Sequence, residues 1–114
     1  MKPDFFVKKL RQEVVEGNLK LYRRMFINNS SNEAKDSYAK KSLALFHSLN
    51  EEQQDMFFDI IRQVLVDTTS NIFGILDGTS CCEGIDEGMR LIASNDKILN
   101  GSLQDLFLEL EETD

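Results

Sequence analysis

The sequence predicts a mainly α-helical protein, a compact bundle of four to five helices around one long central helix at about residues 51–76. Apolar residues recur at steps of three and four along most of the chain, which is the spacing of one helix face. The single proline is Pro3, at a position where a helix readily begins. With 114 residues, 41% of them hydrophobic, the chain fits one helical domain over 1–114 with a core of its own.

The first helical segment carries two apolar stripes that are out of phase with each other. One stripe ends at Val14 and the next begins at Val15, and Gly17 and Asn18 lie close to the change. The phase change predicts a kink or two short helices. The stripes consist of Phe6, Val7, Leu10 and Val14, then of Val15, Leu19, Tyr22 and Phe26.

The next two helices are predicted from a stripe between Ala34 and Leu49 and from the stronger pattern that follows it. Asn50 and Gln53 form a variant capping box that begins the central helix, and Gly78 suits its C-terminal end. The face expected to be buried contains Phe57, Ile60, Ile61, Val64, Leu65, Thr68, Ile72 and Ile75. Val66 and Phe73 fall on the opposite side.

The last third predicts a loop, a small β-hairpin and a final helix. Residues 77–88 have the composition of a loop, and residues 89–99 could form a hairpin around Ser94 to Asp96. Ser102 and Asp105 resemble a capping box for the final helix. Its apolar stripe, expected to face the core, is Leu103, Leu106, Phe107 and Leu110.

Polar residues interrupt the apolar face of the central helix. Thr68 and Asn71 fall within that face and Asp67 lies at its edge. Because buried polar groups need partners, a hydrogen-bonded core network is the expected arrangement. The functional alternative is a polar groove that contacts a ligand or a partner.

No residue set in the sequence predicts catalysis, a cofactor or a metal. Cys81 and Cys82 are adjacent, so they lack the spacing of a zinc site, and His47 is the only histidine available as a base. The residues from 77 to 88 do not match a calcium-binding loop. Two adjacent cysteines, no recognisable signal peptide and no long apolar run predict a cytoplasmic protein without membrane contact.

Charge is unevenly distributed along the chain. The formal net charge is −7, with +5 in residues 1–50 and −12 in residues 51–114. One interpretation is that the two halves pair their charges across the fold. The other is an acidic surface that attracts a basic partner, and a net acidic chain argues against nucleic acid as that partner.

We therefore expect a non-catalytic protein-binding module, comparable in class to small acidic immunity or antitoxin-type inhibitors of a basic protein. The predicted partner-binding residues are Asp77, Glu83, Asp86, Glu87, Asp105, Glu109 and Glu112. The alternative is a homo-oligomeric regulatory or structural protein, such as a homodimer, that associates through off-stripe apolar residues. Those residues are Leu43, Val66, Phe73 and Leu108. An enzyme of unknown class is a second alternative.

Overall fold

Helical turns run without a break from Pro3 to Asn28. The computed structural model, which describes residues 1–113, divides this stretch into α1 (Pro3–Leu10), a π-helical segment (Arg11–Gly17) and α2 (Asn18–Asn28). A π turn closes over more residues than an α turn, so each residue advances less around the axis. The π-helical segment therefore accounts for the phase change between the two stripes. The helix continues through this segment, so α1 and α2 are not separated by a loop.

The remaining helices are α3 (Ser37–Ser48), α4 (Glu51–Asp77) and α5 (Leu103–Thr113). Asn50 caps α4 as the sequence predicts: its Oδ1 accepts from Gln53 N at 2.8 Å, and its own N donates to Gln53 Oε1 at 3.0 Å. Gly78 ends α4 with a φ of 80°. The predicted helical bundle around a long central helix is confirmed.

The predicted β-hairpin at 89–99 is not supported, since the described chain contains no strand there. A single bridge joins Ile92 and Ile98. The segment is held by the side chain of Asn100, which accepts from Leu91 N at 2.8 Å and donates to Leu76 O at 2.6 Å. These side-chain bonds anchor the segment to the end of α4. Two backbone bonds, from Leu99 N to Leu91 O and from Ala93 N to Lys97 O, both at 2.8 Å, join its two arms.

Two buried clusters lie one after the other along α4. The first joins α1, the π segment, the second half of α4 and α5 through Val7, Val15, Val66, Phe73, Leu103 and Phe107. The second joins α2, α3 and the first half of α4 through Leu19, Phe26, Leu43, Phe46 and Phe58. This arrangement extends the bundle along α4, to 51 × 33 × 24 Å.

The buried face of α4 differs from the predicted one. Ile60, Val64 and Ile72, expected in the core, are exposed, whereas the large aromatic rings are inside. Burying a ring removes more apolar area from water than burying an aliphatic chain, and the second half of α4 is apolar on nearly every side. The buried residues of α4 are Phe58, Val66, Thr69, Ser70, Phe73 and Gly74.

Because the buried face differs, the predicted core network of polar residues and the predicted apolar association surface also differ from the structure. Asp67, Thr68 and Asn71 are exposed, so they form no core network. The buried polar residues are their neighbours Thr69, whose Oγ1 donates to Leu65 O at 2.7 Å, and Ser70. Of the four residues expected to form an association surface, Leu108 is exposed, but Leu43, Val66 and Phe73 are buried.

Candidate protein-binding surfaces

Asp77 lies at the junction between the end of α4 and the beginning of α5. Its Oδ1 accepts from Gly101 N at 2.6 Å and its Oδ2 accepts from Gln104 N at 2.9 Å. Both carboxylate oxygens therefore satisfy backbone donors around the first turn of α5, where no intrahelical partner exists. This predicted partner-binding residue has a structural role in stabilising the start of α5.

The loop after α4 exposes the next three predicted residues, Glu83, Asp86 and Glu87. All three line an open cleft of about 480 Å³, together with half-buried Ile75 at the end of α4. Thr79 Oγ1 donates to Gln104 Oε1 at 3.1 Å, so the beginning of this loop lies beside the beginning of α5. The start of the loop is therefore fixed beside the first turn of the last helix, and the three acids follow further along the loop.

The other three predicted residues, Asp105, Glu109 and Glu112, are exposed on α5. They lie on the side away from Leu103 and Phe107, which are fully buried. The helix runs away from the loop: its beginning contacts Ser70 through Gln104, and its last turn reaches Arg62. At 1.5 Å per residue, Asp105 and Glu112 are about 10 Å apart along the axis. The acids of α5 therefore extend away from the end of the helix at which the loop begins.

Glu111, which was not among the predicted residues, is the acid of α5 that turns inward. Arg62 Nη1 donates to Glu111 Oε1 at 2.9 Å, and Arg11 Nε donates to Glu111 Oε2 at 2.6 Å. Burial acts to raise the pKa of Glu111, but the hydrogen bonds from the two arginines outweigh it and hold this pKa below its usual range. The bonds to Glu111 and Glu16 likewise raise the pKa of the Arg62 guanidinium.

These contacts show how little of the charge asymmetry is neutralised inside the fold. Among residues 51–113, Glu111 is the only acid in an ion pair with another described residue. Between described residues, the predicted pairing of charges across the two halves consists of Arg11 with Glu111 and Arg62 with Glu16. The six exposed acids of the loop and of α5 have no cationic side chain of the described chain within 4.0 Å.

The cysteines and the histidine lie at opposite ends of α4. His47 precedes this helix and its Nε2 is 2.6 Å from Asn29 O, whereas Cys81 and Cys82 follow it and are free thiols. With 27 residues, α4 separates the two ends by about 40 Å. The histidine therefore cannot act as a base for either thiol. No group of three or more potential metal ligands occurs within residues 1–113.

The exposed side of α4 is a surface that the sequence patterns did not predict. It consists of two neighbouring rows of residues spaced four apart, and every residue of both rows is exposed. The apolar row is Met56, Ile60, Val64, Thr68 and Ile72, and the acidic row is Asp55, Asp59, Gln63, Asp67 and Asn71. The spacing of the acids was the available signal, since three carboxylates on one row are typical of a solvent-facing side.

A second concave region lies between α2 and α3. This cleft of about 460 Å³ is lined by aromatic residues, among them Tyr22 and Tyr38, and by the carboxylates of Glu33 and Asp36. Asp36 already caps α3, accepting from Ala39 N at 2.7 Å. Of the two acids at this cleft, Asp36 therefore has a structural role as the N-cap of α3.

Within the described residues, no helix has the length and apolar character needed to cross a membrane. Comparison of the chain with family models, with curated proteins and with solved structures finds no match.

Proposed function

We propose that this protein is a non-catalytic binding module that engages a basic protein, in the manner of small acidic immunity or antitoxin-type inhibitors. The observation that carries the proposal is the unneutralised acidic surface of residues 51–113. Glu83, Asp86, Glu87, Asp105, Glu109 and Glu112 are exposed and form no ion pair with other described residues.

Such a surface acts mainly on the rate of encounter. Several like charges on one side of a molecule add their fields and steer an oppositely charged protein towards that side, over a range set by the Debye length of about 8 Å. Steered association is fast at low salt and slows as salt screens the field. A module that must find a basic protein quickly would benefit from this arrangement.

The proposal that the module lacks catalysis is supported by the separation of His47 from both cysteines along α4. A nucleophile and its base must come within hydrogen-bond reach to act together. We further propose a reducing, cytoplasmic setting, supported by the free thiols of Cys81 and Cys82.

Affinity capture tests the proposal. The immobilised protein is incubated with an extract of its source cells at about 0.05 M and about 0.5 M salt, where the Debye length falls severalfold. We expect one enriched protein with a basic isoelectric point, retained at low salt and released at high salt. A variant with Asp86→Asn, Glu87→Gln, Glu109→Gln and Glu112→Gln should no longer retain this basic protein at low salt.

The control variant carries Glu13→Gln and Glu33→Gln, two exposed acids of the other half of the chain, and should retain the partner. Capture of an acidic partner, or of a basic one equally well by the neutralised variant, would contradict the proposal.

A further inference from the structure

We propose that the exposed side of α4 is a docking surface for an amphipathic helix of the basic partner. Apolar residues of that helix would cover the apolar row, and its Lys or Arg residues would lie over the acidic row. The inference rests on the proposed function and adds to it the surface and the kind of element that is bound.

Nothing in the described chain covers the apolar row. Met56, Ile60, Val64 and Ile72 are each 54–58% exposed, and together with Thr68 they form one continuous ridge. Over 16 residues at 1.5 Å per residue, this ridge is about 24 Å long. A contiguous apolar surface of this kind on a soluble protein marks an interaction site.

The geometry of the ridge favours a helix as its occupant. Rows of residues spaced four apart are the ridges that interdigitate when two helices pack. A partner helix whose own ridge fits beside this one would cross α4 at about −50° or about +20°. Either crossing brings the middle of the ridge, Ile60 and Val64, to the centre of the contact.

Charge complementarity determines which helix fits. Asp55, Asp59 and Asp67 lie on the row beside the ridge, and the only Lys or Arg of α4 is Arg62. Its guanidinium is turned inward, where it donates to Glu16 at 2.8 Å and to Glu111 at 2.9 Å. A second copy packed through the same ridge would bring acidic rows together, whereas a basic helix would neutralise them.

The surface area of the chain supports an uncovered interface. The accessible surface is 8212 Å², whereas a monomer of 13.1 kDa is expected to expose about 6,400 Å². The excess is about 1,800 Å², and a standard protein–protein interface removes about 800 Å² from each partner. The extended bundle therefore exposes more surface than one side of a standard interface requires.

The test uses a fluorescently labelled helical peptide of about 18 residues, long enough at about 27 Å to span the ridge. Leucine occupies its positions i, i+3, i+4 and i+7, lysine flanks them, and alanine and glutamine fill the rest. Anisotropy measures binding at an ionic strength of about 0.15 M. One control peptide replaces each lysine by glutamate, and another scrambles the leucine positions.

Protein variants locate the binding site of the peptide. The double variant Ile60→Gln and Val64→Gln removes the centre of the ridge without changing charge, and should weaken binding at least about tenfold. Leu45→Gln is the matched control, because Leu45 on α3 is also 58% exposed, and it should bind as wild type does. The pair Asp59→Asn and Asp67→Asn should weaken binding and flatten its salt dependence.

The results separate this inference from the proposed function. If Glu83→Gln with Glu87→Gln weakens binding and the α4 variants do not, the ridge is not the docking surface but the acidic module stands. If the glutamate peptide binds as well as the lysine peptide, charge complementarity on α4 is refuted. A wild-type dimer in analytical ultracentrifugation that Ile60→Gln and Val64→Gln convert to a monomer would assign the ridge to a second copy.

Discussion

Arg62 of α4 holds Glu111 of α5 through two hydrogen bonds, from Nη1 to Oε1 at 2.9 Å and from Nη2 to Oε2 at 3.3 Å. The same carboxylate accepts from Arg11 of the π segment, and Arg62 also donates to Glu16 at the end of that segment. One ion-pair cluster therefore ties the π segment, the central helix and the last helix together. Bonds to a charged group that is largely removed from water stabilise more than exposed pairs do.

The first prediction is that Glu111 makes the stability of the fold depend on pH. Its folded-state pKa lies below its ordinary value of 4.5, so its contribution is present above that value and is lost as the pH falls through the lower folded pKa. Glu111→Gln should lower the free energy of unfolding at neutral pH by about 1–3 kcal/mol. As the pH falls from neutral to below about 4.5, the variant should lose less stability than wild type does.

Urea denaturation followed by circular dichroism across this pH range measures both effects. Glu112→Gln is the matched control, since Glu112 is exposed on the same turn of α5 and forms no ion pair with the described residues. Its free energy of unfolding should stay within about 0.5 kcal/mol of wild type. Equal pH profiles for Glu111→Gln and wild type would contradict the assignment.

The second prediction concerns the π segment, which acts as a local insertion in an otherwise regular helix. Deleting the exposed Gln12 should let residues 3–28 wind as one α-helix, because the flanking turns keep their buried sides. The free energy of unfolding should then change by no more than about 1 kcal/mol. Thermal and urea denaturation measure it.

Deleting Lys20, which is also exposed but lies in the α-helical part, is the contrasting variant. It rotates Phe26 by about 100° relative to Leu19, away from Phe46 and Phe57, whose ring centroids lie 5.4 and 5.0 Å from its own. The loss should exceed about 3 kcal/mol. Equal losses for the two deletions would show that the π winding is not an insertion.

Local signals were sufficient to predict where the central helix begins and ends, because its caps involve residues three or four apart. The capping pair Asn50 and Gln53 and the end at Gly78 are examples. The buried face of α4 was not predictable in the same way, since Ile60 and Phe73 look equally suited to a core. Only the positions of the neighbouring helices decide which of the two is covered: α2 and α3 pack along the first half of α4, and α1 and α5 along the second.

The residues of the candidate site also fall into those predictable from local patterns and those that depend on long-range contacts. The exposure of Glu109 and Glu112 follows from the stripe of α5, which is a local pattern. The structural role of Asp77 depends on backbone donors 24 and 27 residues away, and the bond from Arg62 to Glu111 spans 49 residues. Contacts over such separations arise from the packing of whole helices, which no local spacing reveals.

The third prediction concerns Gly74, where α4 and α5 approach closely. A Cβ at this position would meet Ser80 Oγ and would lie 2.8 Å from Gln104 Nε2. Gln104 would have to give up its bonds to Ser70, at 3.0 Å to the carbonyl and 3.2 Å to the hydroxyl. Gly74→Ala should therefore destabilise the fold by about 1–3 kcal/mol, although alanine is the better helix former by about 1 kcal/mol.

Chemical denaturation of Gly74→Ala and Gly88→Ala provides the comparison. A Cβ added at Gly88 would meet no atom within 4 Å, and this glycine has no positive φ, so its substitution should be neutral or slightly stabilising. A stabilised Gly74→Ala would show that Ser80 and Gln104 move aside without loss.

The last prediction is that the loop acids and the α5 acids act as one field on the rate of partner association. Asp86 and Glu87 belong to the loop whose first residues lie beside the start of α5, and Glu109 and Glu112 lie further along that helix. Reversing either pair to lysine changes the charge equally, and each pair should slow association with the captured basic partner at low salt. Reversing Glu13 and Glu33 makes the same charge change in the other half and should have a smaller effect.

Stopped-flow association at several salt concentrations gives the rate constants, and circular dichroism checks that each variant is folded. Rates that fall equally for all three pairs would show that net charge alone matters, and an effect limited to one pair would divide the surface in two.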